Sequence, residues 1–259
     1  MDLSDIKKKS IGLVLSGGGV KGMAHIGLIQ ALNEFGIKVQ NVSGTSVGAL
    51  IGALYCNGNT VPEMLRFFRE TPLFQYHFMT IVKPGLLDTE RYFEVLIKYF
   101  PKDSFETLQK RLFVVATDLQ RGDERIFSEG ELIRPLLASA ALPPVFSPVE
   151  IEGTLYADGG IINNFPYDQV SRISDFVMGS NVSGISKIGK EGIRSSFQLA
   201  SRTTSLMIYA INRRKIRKCD LIFEPPALDL IGILDKKGIE KAYTIGYLHA
   251  LEKLQEALG

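Results

Sequence analysis

Cysteine and histidine are scarce in this chain, with two of the first and three of the second in 259 residues. Cys56 and Cys219, in apolar or helix-adjacent contexts, make no disulfide framework and suit a reducing compartment. Long apolar runs are missing as well. No stretch reaches the roughly 18 apolar residues that a spanning helix needs. The polar start, Met1 to Lys9, lacks the apolar region of a signal peptide. Charge of one sign is also lacking, and a net charge of +2 gives no argument for nucleic acid. The expectation is a cytoplasmic protein whose membrane contact is at most peripheral.

What is present is an ordinary globular balance, 45% apolar and 22% charged. The length suits one large core, so a single domain over 1–259 is expected. Short apolar segments alternate with longer helical patterns, which predicts an α/β fold: a mostly parallel central sheet with helices on both faces. The spacing predicts strands at 11–15, 37–42, 112–116, 155–157, 175–179 and 221–223. It predicts helices at 23–35, 47–55, 62–69, 89–99, 132–140, 194–218 and 239–258. The Gly-, Ser- and Lys-rich stretch 183–192 reads as a loop excursion.

Gly44-Thr45-Ser46-Val47-Gly48 is the most informative segment. It follows a strand and opens a small-residue helix, which reads as strand, sharp turn, helix, with Ser46 at the apex. A nucleophile elbow requires glycines around its serine, because the turn is strained and the helix lies close against the strand. Ser46 Oγ would then stand at the carboxyl edge of the sheet, beside a helix N-terminus that favours developing negative charge.

Gly17-Gly18-Gly19-Val20-Lys21-Gly22 follows the first strand and opens a helix. It matches the dinucleotide-binding G-x-G-x-x-G pattern literally. That reading needs an acid at the end of the second strand, and Ile37 to Val42 holds none. A Walker A loop fails too, because Met23 stands where Lys-Ser/Thr would follow. Three successive glycines can instead aim N–H groups into one concavity, an oxyanion hole if a nucleophile is adjacent. A plain tight turn is the alternative for this loop taken alone.

The base for Ser46 is the remaining question. His25 lies inside the first helix, His77 in an aromatic run, and His249 in the middle of the last helix. None has the loop setting of a triad histidine, so structural roles are expected for all three. Asp158, in Leu155-Tyr156-Ala157-Asp158-Gly159-Gly160, ends a strand and is followed by two glycines that permit close approach. A partly desolvated carboxylate can deprotonate a serine directly. Asp-Gly-Gly alone could equally be a turn.

Together, the glycine loop, the elbow and the Asp-Gly-Gly segment resemble the patatin-like phospholipases, and more closely their short single-domain bacterial members. The likeness extends through Ala116-Thr117-Asp118-Leu119 and Ala138-Ser139-Ala140-Ala141-Leu142-Pro143 to Phe146 and Pro148. It continues in Asp158-Gly159-Gly160-Ile161-Ile162-Asn163-Asn164-Phe165-Pro166. The resemblance implies a lipid acyl hydrolase with a Ser46–Asp158 dyad, an acyl-enzyme intermediate, and no metal or other cofactor. It implies an oxyanion hole from Gly17, Gly18 and Gly19, with Lys21, Gly22, Gly44, Gly48, Gly159 and Gly160 as motif support. Lys21 stands where the family has arginine, keeping the charge and losing the planar fork. The rival readings are a general carboxylesterase or acyltransferase using the same pair, and a non-catalytic lipid-binding protein on this scaffold.

Three further features accompany the motifs. Phe74 to Met79 lies in the densest aromatic stretch and could cover the site or pack into the core. Arg213, Arg214, Lys215, Arg217 and Lys218 gather near a helix end, where they complement the dipole or attract anionic headgroups. Asn163 and Asn164 could tether the Asp158 loop or serve its turn, and Ser139 reads as structural.

Overall fold

Ile11–Leu15 (β1) is buried on both faces, as expected of a central strand in a largely parallel sheet. The computed structural model describes residues 3–71, 79 and 83–258. In chain order they form α1 (Leu3–Lys7), β1, α2 (Met23–Glu34), β2 (Asn41–Thr45), α3 (Val47–Cys56), α4 (Val61–Glu70) and α5 (Phe93–Leu96). There follow β3 (Arg111–Asp118), β4 (Asp123–Phe127), α6 (Ile133–Ser139), β5 (Val149–Ile151), β6 (Thr154–Asp158) and α7 (Tyr167–Ser171). β7 (Phe176–Ser180), α8 (Ser196–Ile216), β8 (Leu221–Phe223) and α9 (Ile239–Leu258) complete the order.

The eight strands form one sheet in the order β5-β6-β3-β2-β1-β7-β8, with β4 also paired to β3. β3, β2, β1, β7 and β8 run parallel, whereas β4, β5 and β6 add antiparallel pairs at one side. The sheet is therefore mixed, with helices against it, a three-layer α/β/α arrangement. β4 and β5 escape the sequence reading because neither is an apolar run: β4 is Asp-Glu-Arg-Ile-Phe and β5 only three residues. The second strand begins at Asn41 rather than Ile37, since Ile37 N–H is engaged by Leu32 O at the end of α2 and the register with β1 starts at Gly12 opposite Asn41.

Local chemistry explains the helix starts. Thr60 N–H donates to Glu63 Oε2 at 2.7 Å, a capping box with Pro62 in the first turn of α4. Ser195 and Gln198 cap α8 in the same reciprocal way. The pattern at 89–99 is broken instead into a 3₁₀ turn, Thr89–Tyr92, and the short α5. α3 is apolar around its circumference and buried, as a helix inside the core must be. No helix among the described residues is long and apolar enough to cross a membrane.

Candidate active site

β3 sets the distance between Ser46 and Asp158. It pairs with β2 over Arg111–Val115 and with β6 over Ala116–Asp118. β4 overlaps both registers, at Val114–Asp118, so β2 and β6 must share the opposite edge of β3. They approach along that edge from opposite directions. Thr45 ends opposite Val115 and Asp158 ends opposite Ala116, so the two strand ends meet.

Ser46 follows Thr45 with φ 56° and ψ −127°, a left-handed conformation costly for a residue with a side chain. The surroundings hold it there. Ser46 N–H donates to Ser139 Oγ at 2.9 Å, and Ser139 Oγ–H donates to Val115 O at 2.6 Å, tying the apex to β3. A methyl group added at Gly48 would lie 2.3 Å from Leu15 O, and one at Gly44 would lie 2.5 Å from Gly48 O. Only glycine fits where helix and strand pass this closely.

Asp158 is buried, 4% exposed. Its Oδ2 accepts from Ser46 Oγ at 2.6 Å and its Oδ1 from Gly160 N–H at 2.7 Å. Thr117 Oγ1 donates to its backbone carbonyl, and a Cβ at Gly159 would collide with Val115 O at 2.2 Å. Burial pushes the carboxyl up to about 6, against the lowering effect of the bonds from Ser46 and Gly160. A carboxylate at that value is a competent base near neutral pH.

The glycine loop reaches the same place from β1. Its Gly17 carbonyl is held by three donors: Ser16 Oγ at 3.1 Å, Ser183 Oγ at 2.6 Å and Asn164 Nδ2 at 3.4 Å. Because a peptide unit is planar and trans, the N–H of Gly18 points opposite to that carbonyl. Gly17 N–H is itself engaged by Asn164 O at 3.3 Å, while Gly18 and Gly19 N–H have no protein acceptor among the described residues. Gly19 has φ 58°, and a Cβ there would lie 2.2 Å from Ile233 O. Val20 N–H donates to that same oxygen at 2.8 Å. Gly22 lies against Val47, and Lys21 Nζ is 3.6 Å from Asp229 Oδ1, so this lysine ties the loop to the 226–230 turn.

Ser46, Asp158, Gly18 and Gly19 line one cavity of about 480 Å³. Its walls are apolar, including Met23, Val47, Leu50, Phe68, Leu142 and Ile208. A second groove, about 690 Å³, lies at the other end of the strands beside Gln40 and Arg111, and its lining holds no comparable serine–carboxylate pair.

His25 and His249 are placed elsewhere. His25 is fully buried, with Nδ1 2.7 Å from Ser180 Oγ and Nε2 2.9 Å from Ser16 O. A carbonyl can only accept, so Nε2 carries the proton, and burial lowers the ring to about 4. His249 sits within α9, half-buried, and burial lowers it too. His77 and most of the aromatic stretch Phe74 to Met79 lie outside the described residues. Met79, which is described, is exposed and bridges Leu87. Asn164 contacts the glycine loop, whereas Asn163 donates to Glu124 and accepts from Thr45 through its carbonyl. Ser183 was legible only as part of a loop. Its position follows from β7 lying beside β1, with Ser180 opposite Leu15.

Comparison with known proteins gives the chain's family and fold. The chain is 36% identical over 169 residues to neuropathy target esterase sws of Drosophila melanogaster, covering 61% of this chain and 12% of that protein. The corresponding protein of Drosophila virilis is 35% identical over 167 residues, covering 61% and 11%. The chain thus spans a small part of these relatives' length. VipD from Legionella pneumophila shares the fold, with a TM-score of 0.59 and 14% identity over 96% of this chain and 66% of VipD. The model of the patatin-like phospholipase family matches residues 13–171, which include the glycine loop, the elbow and Asp158, and the chain belongs to that family.

Proposed function

We propose that this protein is a serine acyl hydrolase that cleaves lipid ester bonds through Ser46 and Asp158. The observation that carries the reading is the 2.6 Å bond from Ser46 Oγ to a buried carboxylate pushed up to about 6. Asp158 takes the Ser46 proton as Oγ attacks the ester carbonyl carbon. The carbonyl oxygen becomes an oxyanion facing the Gly18 and Gly19 N–H groups. Of the three glycines expected there, Gly17 contributes through its anchored carbonyl, since its N–H is already bonded to Asn164 O. The C–O bond then breaks, and Asp158 returns the proton to the leaving alcohol. Asp158 next deprotonates a water that attacks the acyl-Ser46 ester, releasing the carboxylic acid and restoring Ser46 Oγ–H. No metal enters these steps.

The substrate class follows from the walls. An acyl chain gains by leaving water for the apolar cavity, at about 0.8 kcal/mol per buried methylene. A cytoplasmic setting with peripheral membrane contact is part of the proposal, supported by two unpaired cysteines. Burial pushes the Cys219 thiol up to about 12 and raises Cys56 as well, so both rest as thiols.

Labelling with a fluorophosphonate probe, read by mass spectrometry, tests the pair. Wild type should be modified at Ser46, Ser46→Ala not at all, and Asp158→Asn at a rate lower by orders of magnitude. Folded wild type that stays unlabelled would favour the non-catalytic lipid-binding reading. Turnover of nitrophenyl esters of increasing chain length, then of phospholipid vesicles, separates a lipid hydrolase from a general carboxylesterase.

A further inference from the structure

α8 carries apolar residues on its water-facing side as well as on the side that packs against the core. Its inward side packs Tyr209 and Ile216 against the body of the protein, with Ile208, Arg202 and Ser205 part-buried, and there Asn212 Oδ1 accepts from Phe165 N–H. The side turned to water carries Leu199, Leu206, Met207 and Ile211, which are 55%, 43%, 63% and 55% exposed. Ala200 and Ala210 lie between them. At 100° per residue these positions fall within one broad stripe, and from Ser196 to Asn212 no charged residue interrupts it. The stripe ends at Arg213, Arg214 and Arg217, all exposed and without an acid partner among the described residues. Lys215 is paired, 3.0 Å from Asp168.

This stripe runs into the mouth of the cavity. Met207 and Ile211 belong to both, and Ile161, Ile233 and Leu234, each more than a third exposed, complete an apolar rim. An exposed apolar patch that is continuous with a substrate opening marks an interaction surface. We infer that the outward face of α8 docks the protein on an anionic lipid surface, with Leu199, Leu206 and Met207 entering the headgroup boundary and Arg213, Arg214 and Arg217 on the phosphates.

Charge selects this occupant over a second copy of the chain. Between Glu191 and Asp220 there is no acidic residue but seven basic ones: Arg194, Arg202, Arg213, Arg214, Lys215, Arg217 and Lys218. A copy of α8 laid on α8 brings more cations and no counter-charge, whereas an anionic leaflet supplies it. The orientation also sets the cavity mouth against the bilayer, so an acyl chain passes from lipid into the apolar cavity without crossing water. The inference rests on the hydrolase reading for its purpose, though not for its physics.

Co-sedimentation separates the two claims. The probe is Ser46→Ala protein with vesicles of phosphatidylcholine alone, or of equal parts phosphatidylcholine and phosphatidylglycerol. Binding should be confined to the mixed vesicles and weaken as salt is raised. Replacing Arg213, Arg214 and Arg217 by glutamine should reduce it about 100-fold, from about fivefold per cation. Leu199→Glu with Leu206→Glu should abolish it, while both variants in the Ser46 background hydrolyse a soluble nitrophenyl ester within about twofold of wild type. Binding unchanged in both variants, or equal on both vesicles, would overturn the docking surface. So would a wild-type dimer in solution that the two leucine substitutions dissolve. Vesicle binding without ester turnover would instead overturn the catalytic reading and leave the surface intact.

Discussion

Thr45 and Asp158 occupy successive positions along one edge of β3, opposite Val115 and Ala116, although they are far apart in the chain. One strand thereby sets the gap between the elbow and its carboxylate. The register of β3, not a flexible loop, keeps Ser46 Oγ at 2.6 Å from Asp158. Sites held on strands are positioned more closely than sites held on loops.

The pH dependence of soluble ester turnover should follow Asp158. The carboxylate must be ionised to accept the serine proton, and burial places it at about 6. Thus kcat/KM should rise with pH through about 6 and then level off. His25 titrates at about 4 and is not the group responsible. A limb that keeps its midpoint in a folded Asp158→Asn variant with residual activity would assign it elsewhere.

Asp158→Asn should gain stability while losing turnover. The native carboxyl is raised from 3.8 to about 6, so the folded state holds its proton more tightly than the unfolded chain. Burying the charge therefore costs stability above about pH 6, by roughly 3 kcal/mol, and costs nothing below about pH 4. Asparagine removes that cost. Denaturant melts should show the variant more stable at pH 7 and the advantage gone at pH 4. Activity should fall by at least about 10³.

Ser139→Ala should loosen the elbow. Its hydroxyl bridges Ser46 N–H and Val115 O, and without it a strained backbone loses its tie to β3. The expected loss is about 2 kcal/mol of stability, read by thermal melting, with kcat lowered more than KM is raised. Unchanged melting and turnover would show that the bridge is dispensable.

Ser183→Ala tests how the Gly18 N–H is aimed. Losing an oxyanion donor outright costs roughly 10²–10³ in rate, and loosening one should cost less, about tenfold in kcat with KM unchanged. Ser183→Thr, which keeps the hydroxyl, should recover most of the loss. An alanine variant as fast as wild type would leave Ser16 and Asn164 as sufficient anchors.

The elbow, the glycine loop and Asp158 were legible in the chain because each is a local backbone requirement. Glycines that flank Ser46 or precede a helix leave a mark in sequence, since no side chain fits there. The helices expected at 62–69 and 194–218 are present, and the structure shows their starts held locally by capping boxes at Thr60 and Ser195. The break at 89–99 and the exposed strand β4 were not legible, because Thr89 is tied to distant Ser147 and β4, which is no apolar run, is held by its pairing with β3.

What the chain by itself determined is which residues can do chemistry: a serine on a strained turn, a carboxylate before two glycines, and N–H groups free of side chains. Only the tertiary structure decided their partnership. Register on β3 brought Asp158 to Ser46, and the β1–β7 pairing brought Ser183 to the Gly17 carbonyl. The water-facing apolar stripe of α8 is likewise a tertiary fact. Periodicity reports which helix positions are apolar, and packing alone decides which of them are covered and which are left facing water.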